Sequence, residues 1–467
     1  MRDPLWTGDE IAKATGGKLN APFECSGISI DTRTLAAGDL FVPLKHERDG
    51  HQFIANAFRH GAAGTLSEVP INGHPGVRVG DTLGALIRMA EHRRDNSAAI
   101  RIGITGSVGK TSLKEAVATI CEGAGRTHKS VKSFNNHWGV PLTLARMPRD
   151  AAFGVFEMGM NHAGELTKLS ALVQPDIAVV TKIAPAHLAH FESVDAIAEA
   201  KAEIFSGLGL GGKAIINADD KYAARLAKAA RRSGAEVVLV GRSDKADIRI
   251  GDVQTLVNGS VFALHVRGDL HAVRVNIAGE HWVLNAALAI ATAHAAGVPV
   301  VDAVESLTEL SAMKGRGERF LATVNGATVT VVDESYNANP ESMRAAITAL
   351  ADHKGRKVAV LGEMLELGAD ELDLHAALSH PLHKSGFARV VTVGETMRGL
   401  RGAMPQKMRA AWVKDADAAW DALLGEVQDG DAVLIKGSNG AKLGALVERL
   451  KRLGFSESHQ WDERHAV

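Results

Sequence analysis

Only two cysteines, Cys25 and Cys121, occur in 467 residues. That excludes a disulfide framework and points to a reducing, cytoplasmic setting. Aromatic residues make up 4% of the chain, so alanine, valine and leucine must do most of the packing. No apolar run approaches the roughly 18–20 residues that span a bilayer, which excludes a membrane helix. The opening segment, "MRDPLWTGDEIAKATGG", has no continuous apolar stretch, so a signal peptide is not expected. An excess of charge of one sign is missing too. A formal net charge of -1 argues against nucleic acid or a membrane surface as a partner. Low-complexity tracts and internal repeats are also absent.

What is present is a repeated rhythm of apolar strand, turn and helix. The length predicts about three domains. Residues 1–97 read as a small α/β domain that closes in "IRMAEHRRDNSAA", a charged helix end and linker. Residues 98–312 carry the apolar strands "AIRIGITG", "AAFGVFEMG", "DIAVVTKIA" and "GKAIINADD" between helical stretches. Such runs predict a mainly parallel sheet covered on both faces. Residues 313–467 restart the rhythm with "TVTVVDESYNANP", "KVAVLGEM", "ARVVTVGET" and "DAVLIKGSNG". They read as a Rossmann-like open sheet, whose ligands bind beyond the carboxyl ends of the strands. Cys121 falls in helical register with Leu113 and Val117, the position of a buried thiol.

One more absence is informative. The usual phosphate-loop spelling, G-x-x-x-x-G-K and then Ser or Thr, needs a glycine five places before Gly109. Position 104 is Ile. Yet "IGITGSVGKTS" follows a strand and opens a helix, which is the context such a loop requires. Gly106 and Gly109 permit backbone conformations that let amides converge on an anion. The helix N-terminus adds partial positive charge. Lys110 can neutralise phosphate oxygens, and Thr111 can offer a hydroxyl to Mg²⁺.

Other candidates lie at strand ends. Glu157 closes an apolar strand, where a carboxylate needs a metal or a basic partner. His187 and, more weakly, His190 follow another strand. Lys201 shares a helical face with Ile197, Ile204 and Leu208. It is either a stem lying along the surface or an amine held in low dielectric. In "VVDESYNANPESM", Asn339 and Pro340 form an N-cap and N1 pair, leaving Asp333, Ser335, Tyr336 and Asn337 as a polar cluster. Lys436 and Ser438 end a further strand, and Arg316 stands at the joint between the second and third segments.

"TGSVGKTS" resembles the shorter T-G-x-x-G-K-T loop of the Mur ligases and their folylpolyglutamate synthetase relatives. "SIDTRTLAAGDLFVPLKHERDGHQF", "NNHWGVPLTL", "FEMGMNHAGE", "IAPAHLAHF" and "AKAEIF" follow in that family's order. "DESYNANPESM" and "LGEMLELG" resemble the segments of the member that handles D-alanyl-D-alanine. The resemblance implies an ATP-dependent, ADP-forming amide ligase. It would add D-alanyl-D-alanine to UDP-N-acetylmuramoyl-tripeptide through an acyl phosphate, in the last cytoplasmic step of peptidoglycan precursor synthesis. A monomer is expected. Another Mur-type or folylpolyglutamate-synthetase-type amino-acid ligase is the alternative.

The resemblance also implies roles. Gly106, Ser107, Val108, Gly109, Lys110, Thr111 and Ser112 would bind the ATP phosphates. Thr111 and Glu157 would serve one Mg²⁺ and His187 a second, with Lys201 carbamylated to face the metal. Asn285 would lie near adenine, Arg316 at the γ-phosphate, and Asp333 against the nucleotide from the third domain. Lys110, Lys201 and Arg316 would carry catalysis. Ser335, Tyr336, Asn337 and Asn339 would line the acceptor region. Asp31, Thr32, Arg33 and Lys45 would hold the UDP-sugar peptide. Three departures stand out: "KHERDGH" is one residue short of the family's segment, Trp282 replaces an asparagine, and Glu334 replaces an aspartate.

Overall fold

A computed structural model describes residues 4–131, 134–185, 190–256, 259–277 and 279–454. Three large sheets carry the architecture. The first has five strands in the order Lys18–Leu19, Gly76–Arg78, Gly64–Ser67, Asp39–Phe41 and Gly27–Ser29. Its first pair is antiparallel and the rest parallel. The second has nine strands, and the strand Ile100–Thr105 lies between Ile177–Val180 and Phe153–Glu157. Seven of its strands run parallel, from Thr127–Lys129 to Ile248–Leu256. Gly259–Val266 and Asp269–Val275 then extend it as an antiparallel meander.

That meander was not expected, and its burial pattern explains why. Inward and outward residues alternate along Gly259–Val266, whereas the readable strands are continuously apolar. The third sheet has six strands in the order Glu318–Val324, Ala327–Glu334, Ala432–Lys436, Lys357–Gly362, Phe387–Val393 and Arg409–Val413. Its four inner strands are those expected from the sequence. The two edge strands, only partly covered, escaped the apolar-run criterion. No helix among the described residues is long and apolar enough to cross a membrane.

The charged end of helix Thr82–Asp95 is not a solvated linker. Arg93 and Arg94 are both buried. Arg93 stacks over Trp6 at 4.3 Å and donates to Leu5 O at 2.6 Å. Arg94 donates to Leu172 O at 2.7 Å, on the helix Glu165–Val173. Trp6 Nε1 reaches Ala145 O at 2.9 Å. These contacts border one apolar cluster that runs from Trp6 and Leu86 to Val140, Phe156 and Ile204. The first sheet and one face of the second therefore share a core.

The third sheet packs differently. Its two apolar clusters draw on residues from Phe320 onward only. The clusters of the other two sheets end at Met313. Polar contacts, described below, link the two parts. Trp282 is 1% exposed within the second cluster, so this departure from the family asparagine is a packing residue. Cys121 is buried as expected, and burial pushes its thiol up to about 12.

Trp6→Ala should destabilise the protein by about 3–5 kcal/mol, the range for emptying a buried indole site. Hydrogen exchange should show residues 6–90 and 140–147 losing protection together, with the third sheet unchanged. Equal loss in all three sheets would contradict separate cores.

Candidate active site

The loop begins where strand Ile100–Thr105, covered on both faces, runs out. Gly106 adopts φ 147°, and a methyl group there would lie 1.9 Å from Thr181 Oγ1. Only glycine fits. Thr181 Oγ1 donates to Val108 O at 2.6 Å, and Ser107 N–H donates to Lys182 O at 2.8 Å. The neighbouring strand end thus pins the loop from below. Gly109, at φ 87°, turns the chain into helix Lys110–Ala124.

The first intrahelical bond there runs from Leu113 N–H to Gly109 O at 2.8 Å. The amides of Lys110, Thr111 and Ser112 precede it and have no intrahelical acceptor. No side chain caps this end. With the helix dipole, it is suited to an anion. Ser107 Oγ is buried without a hydrogen-bond partner. Asn285, on helix Glu280–Ala295, stands over the loop. A methyl on Gly109 would lie 3.1 Å from its Oδ1.

Lys110 Nζ curls back to Gly106 O at 2.7 Å. Burial pushes its ammonium below the usual value. Glu157 opposes that shift, and Arg316 adds to it. Glu157, 1% exposed, sits where the strand Phe153–Glu157 ends. Its Oε2 accepts from Thr111 Oγ1 at 2.7 Å and its Oε1 from Asn135 Nδ2 at 2.8 Å. Both partners are neutral. A buried carboxylate with neutral donors, beside a hydroxyl, is a hard-oxygen pair that fits Mg²⁺ completed by phosphate oxygens and water. No cluster of three His, Cys, Asp or Glu ligands exists among the described residues.

Lys201 is buried, as are Ile197, Ile204 and Leu208, but the helix Val194–Ala202 ends before the last two, which lie on and just past a 3-10 turn rather than on one continuous helical face. Its ammonium is held well below its usual value, first by burial and then by Lys110. Glu165, Glu203 and Glu157 act in the opposite direction. His187 lies outside the described residues.

The third sheet delivers Arg316. Its Nη2 donates to Thr111 Oγ1 at 3.0 Å, and its guanidinium stacks on Tyr336 at 4.3 Å. Asp333 arranges this from behind. Buried itself, it accepts from Gly315 N–H at 2.8 Å, Ser335 N–H at 3.0 Å and Ser335 Oγ at 2.6 Å. Its carboxylate therefore holds the backbone that carries Arg316. A second tie joins Lys182 to Glu341.

Asn339 is the expected N-cap of helix Pro340–Thr348, in a reciprocal capping box with Ser342. Ser335 and Asn339 are thus committed to local structure. Tyr336 is half-buried under the Arg316 guanidinium, and Asn337 is exposed. Lys436 donates to Asn337 O at 2.9 Å and Glu334 Oε2 at 3.3 Å, so it braces this loop from within.

At the first sheet, Arg33 forms a forked pair with Asp31, with contacts of 2.6 to 3.1 Å. Lys45 pairs with Glu68. Thr32 is half-buried beside them. Among the described residues, none of Asp31, Thr32, Arg33 and Lys45 hydrogen-bonds to the loop or to Glu157. Sequence reasoning missed Asn135, Thr181, Lys182 and Glu341. The strand-end rule could have found Thr181 and Lys182, which follow strand Ile177–Val180.

The middle-domain model of the Mur ligases matches residues 104–293, and the Mur ligase, glutamate ligase domain model matches residues 315–439. UDP-N-acetylmuramoyl-tripeptide--D-alanyl-D-alanine ligase of Bacillus subtilis (strain 168) is 34% identical over 458 residues, covering 95% of this chain and 98% of its own. MurF from Acinetobacter baumannii superposes with a TM-score of 0.85 at 30% identity, over 96% of this chain and 99% of its own. MurF ligase from Thermotoga maritima, in complex with ADP, gives 0.76 at 25% identity, over 91% and 97%. The matched domains and the near-complete coverage lead to one conclusion: this chain belongs to the Mur ligase family.

Proposed function

We propose that the chain is an ATP-dependent amide ligase that joins D-alanyl-D-alanine to UDP-N-acetylmuramoyl-tripeptide. One observation carries the reading. A phosphate loop, a buried carboxylate and an arginine from the third sheet converge on the Thr111 hydroxyl. The D-alanyl-D-alanine assignment is supported by relatives of that name across nearly the whole chain.

The substrate carboxylate attacks the γ-phosphorus of ATP, giving an acyl phosphate and ADP. The amine of D-alanyl-D-alanine then attacks the acyl carbon. Phosphate leaves, a proton is lost and the amide remains. The first step brings two anions together, and this chain answers with cations in a poorly solvated site. Lys110 stands over the loop, and Arg316 reaches it from the third sheet. Such fixed charges act most strongly where water is excluded. Thr111 and Glu157 would hold Mg²⁺, which would neutralise charge on the phosphates when bound. Tyr336 and Asn337 face the acceptor. Asp31, Thr32, Arg33 and Lys45 would meet the UDP-sugar peptide. The expected segmentation, 1–97, 98–312 and 313–467, assigns one component to each part.

Lys201 suits carbamylation. Burial favours the neutral amine, the form that would add to CO₂, release a proton and become an anion. Lys110, whose charge acts against the lysine cation, would stabilise that anion. His187 would accompany it at a second Mg²⁺.

Purified protein given UDP-tripeptide, ATP and D-alanyl-D-alanine should release ADP and form the pentapeptide. Free glutamate or D-alanine should not replace the dipeptide; equal turnover with glutamate would favour a different ligase. Lys110→Ala should lower the rate by roughly 10²–10³-fold, the scale for removing one electrostatic stabiliser. Lys201→Ala should be inactive and partly restored by acetate. Full activity without acetate would rule out the carbamate.

A further inference from the structure

A second lysine stands one turn along the same helix. Lys114 is 0% exposed, among the largest fully buried side chains in the molecule. Placing an ammonium there is costly before its partners are counted, and an apolar residue of similar volume is often at least as stable. The helix packs against the strand Phe153–Glu157, so an apolar side chain would satisfy the core. A charged one calls for a reason.

Its partners supply one. Lys114 Nζ donates to Ser130 O at 2.8 Å and pairs with Glu115 Oε1 at 2.9 Å. Glu115 is in turn held by Lys129 at 2.9 Å. Ser130, also buried, is tied to the strand that ends in Glu157. Its N–H donates to Val155 O at 3.0 Å, and its Oγ accepts from Glu157 N–H at 3.1 Å. Lys114 thus links the helix carrying Thr111 to the loop that holds the Glu157 backbone. Three residues apart, Thr111 and Lys114 share a helix face. The hydroxyl meets the Glu157 side chain while the ammonium grips the serine behind it.

We infer that Lys114 is a positioning residue that sets the spacing of Thr111 and Glu157, and through it the affinity for the divalent cation. This rests on the reading that those two residues hold the ion. Groups standing behind metal ligands typically change affinity by about 10–100-fold when removed. A lysine serving only to tie the helix to its neighbours would change stability and leave the affinity of folded protein alone.

Mn²⁺ binding to the ADP complex, followed by electron paramagnetic resonance, separates these cases without turnover. Wild type should bind, and Glu157→Gln should lose binding. If both bind equally, the ion reading itself fails. With that control in place, Lys114→Met, matched to wild type in thermal melting and circular dichroism, should bind about 10-fold or more weakly. Ser130→Ala should weaken binding as well, and the double variant should be no worse than the weaker single one, because both act along one chain of contacts. Unchanged affinity in folded Lys114→Met, or fully multiplicative losses in the double variant, would overturn the inference. If Lys114→Met does not fold, Lys114→Gln, which removes the charge and shortens the side chain, decides: a change of less than twofold in folded protein overturns it, and a larger loss supports it.

Discussion

The Thr111 hydroxyl is the point on which the site depends. It donates to Glu157 at 2.7 Å and accepts from Arg316 at 3.0 Å. One small group therefore joins the phosphate-loop helix, the adjacent strand and the third sheet. A hydroxyl can do this because it is both donor and acceptor. Displace it, and the carboxylate loses a donor inside the core while the arginine loses its contact with the loop.

That dependence fits the way the molecule is held together. The first two sheets share apolar packing, which is non-directional and resists rearrangement. The third has its own cores and meets the rest through Arg316 and the Lys182–Glu341 pair. Partly exposed ion pairs contribute little stability, so the Lys182–Glu341 pair adds little to this junction. A ligase must admit three reactants and then exclude water. Strong packing beneath the loop and weak polar ties across the cleft are suited to those two demands.

Much of this was legible in the sequence, for identifiable reasons. Gly106 and Gly109 announce the loop because both adopt positive φ, and at Gly106 a side chain would also collide with Thr181. Glu157 stands out as a charge ending an apolar strand, and Lys201 as a charge on an apolar helical face. Asp333 was legible as a polar strand-end residue, but its bond to the backbone of Gly315, eighteen positions upstream, was not, because no local pattern announces the returning chain. Asn135 and Ser130 were invisible for a related reason. They sit outside regular elements, and only tertiary approach brings them to Glu157. The antiparallel meander was missed because half-exposed strands lack the continuous apolar signal.

The buried lysines give the chemistry its direction. Lys110 and Lys201 are held below their usual values chiefly by burial, and the charge of Lys110 adds to the shift at Lys201. Cations crowded into a poorly solvated site are destabilised until anions arrive. Glu157 offsets part of that burden, yet its donors are neutral and its own charge lacks a full partner. The site thus suits a ligand set that is negative overall, with the divalent cation proposed above beside Glu157. Nucleotide phosphates, an acid to be activated and Mg²⁺ meet that description together, whereas phosphates alone would leave the carboxylate facing like charge.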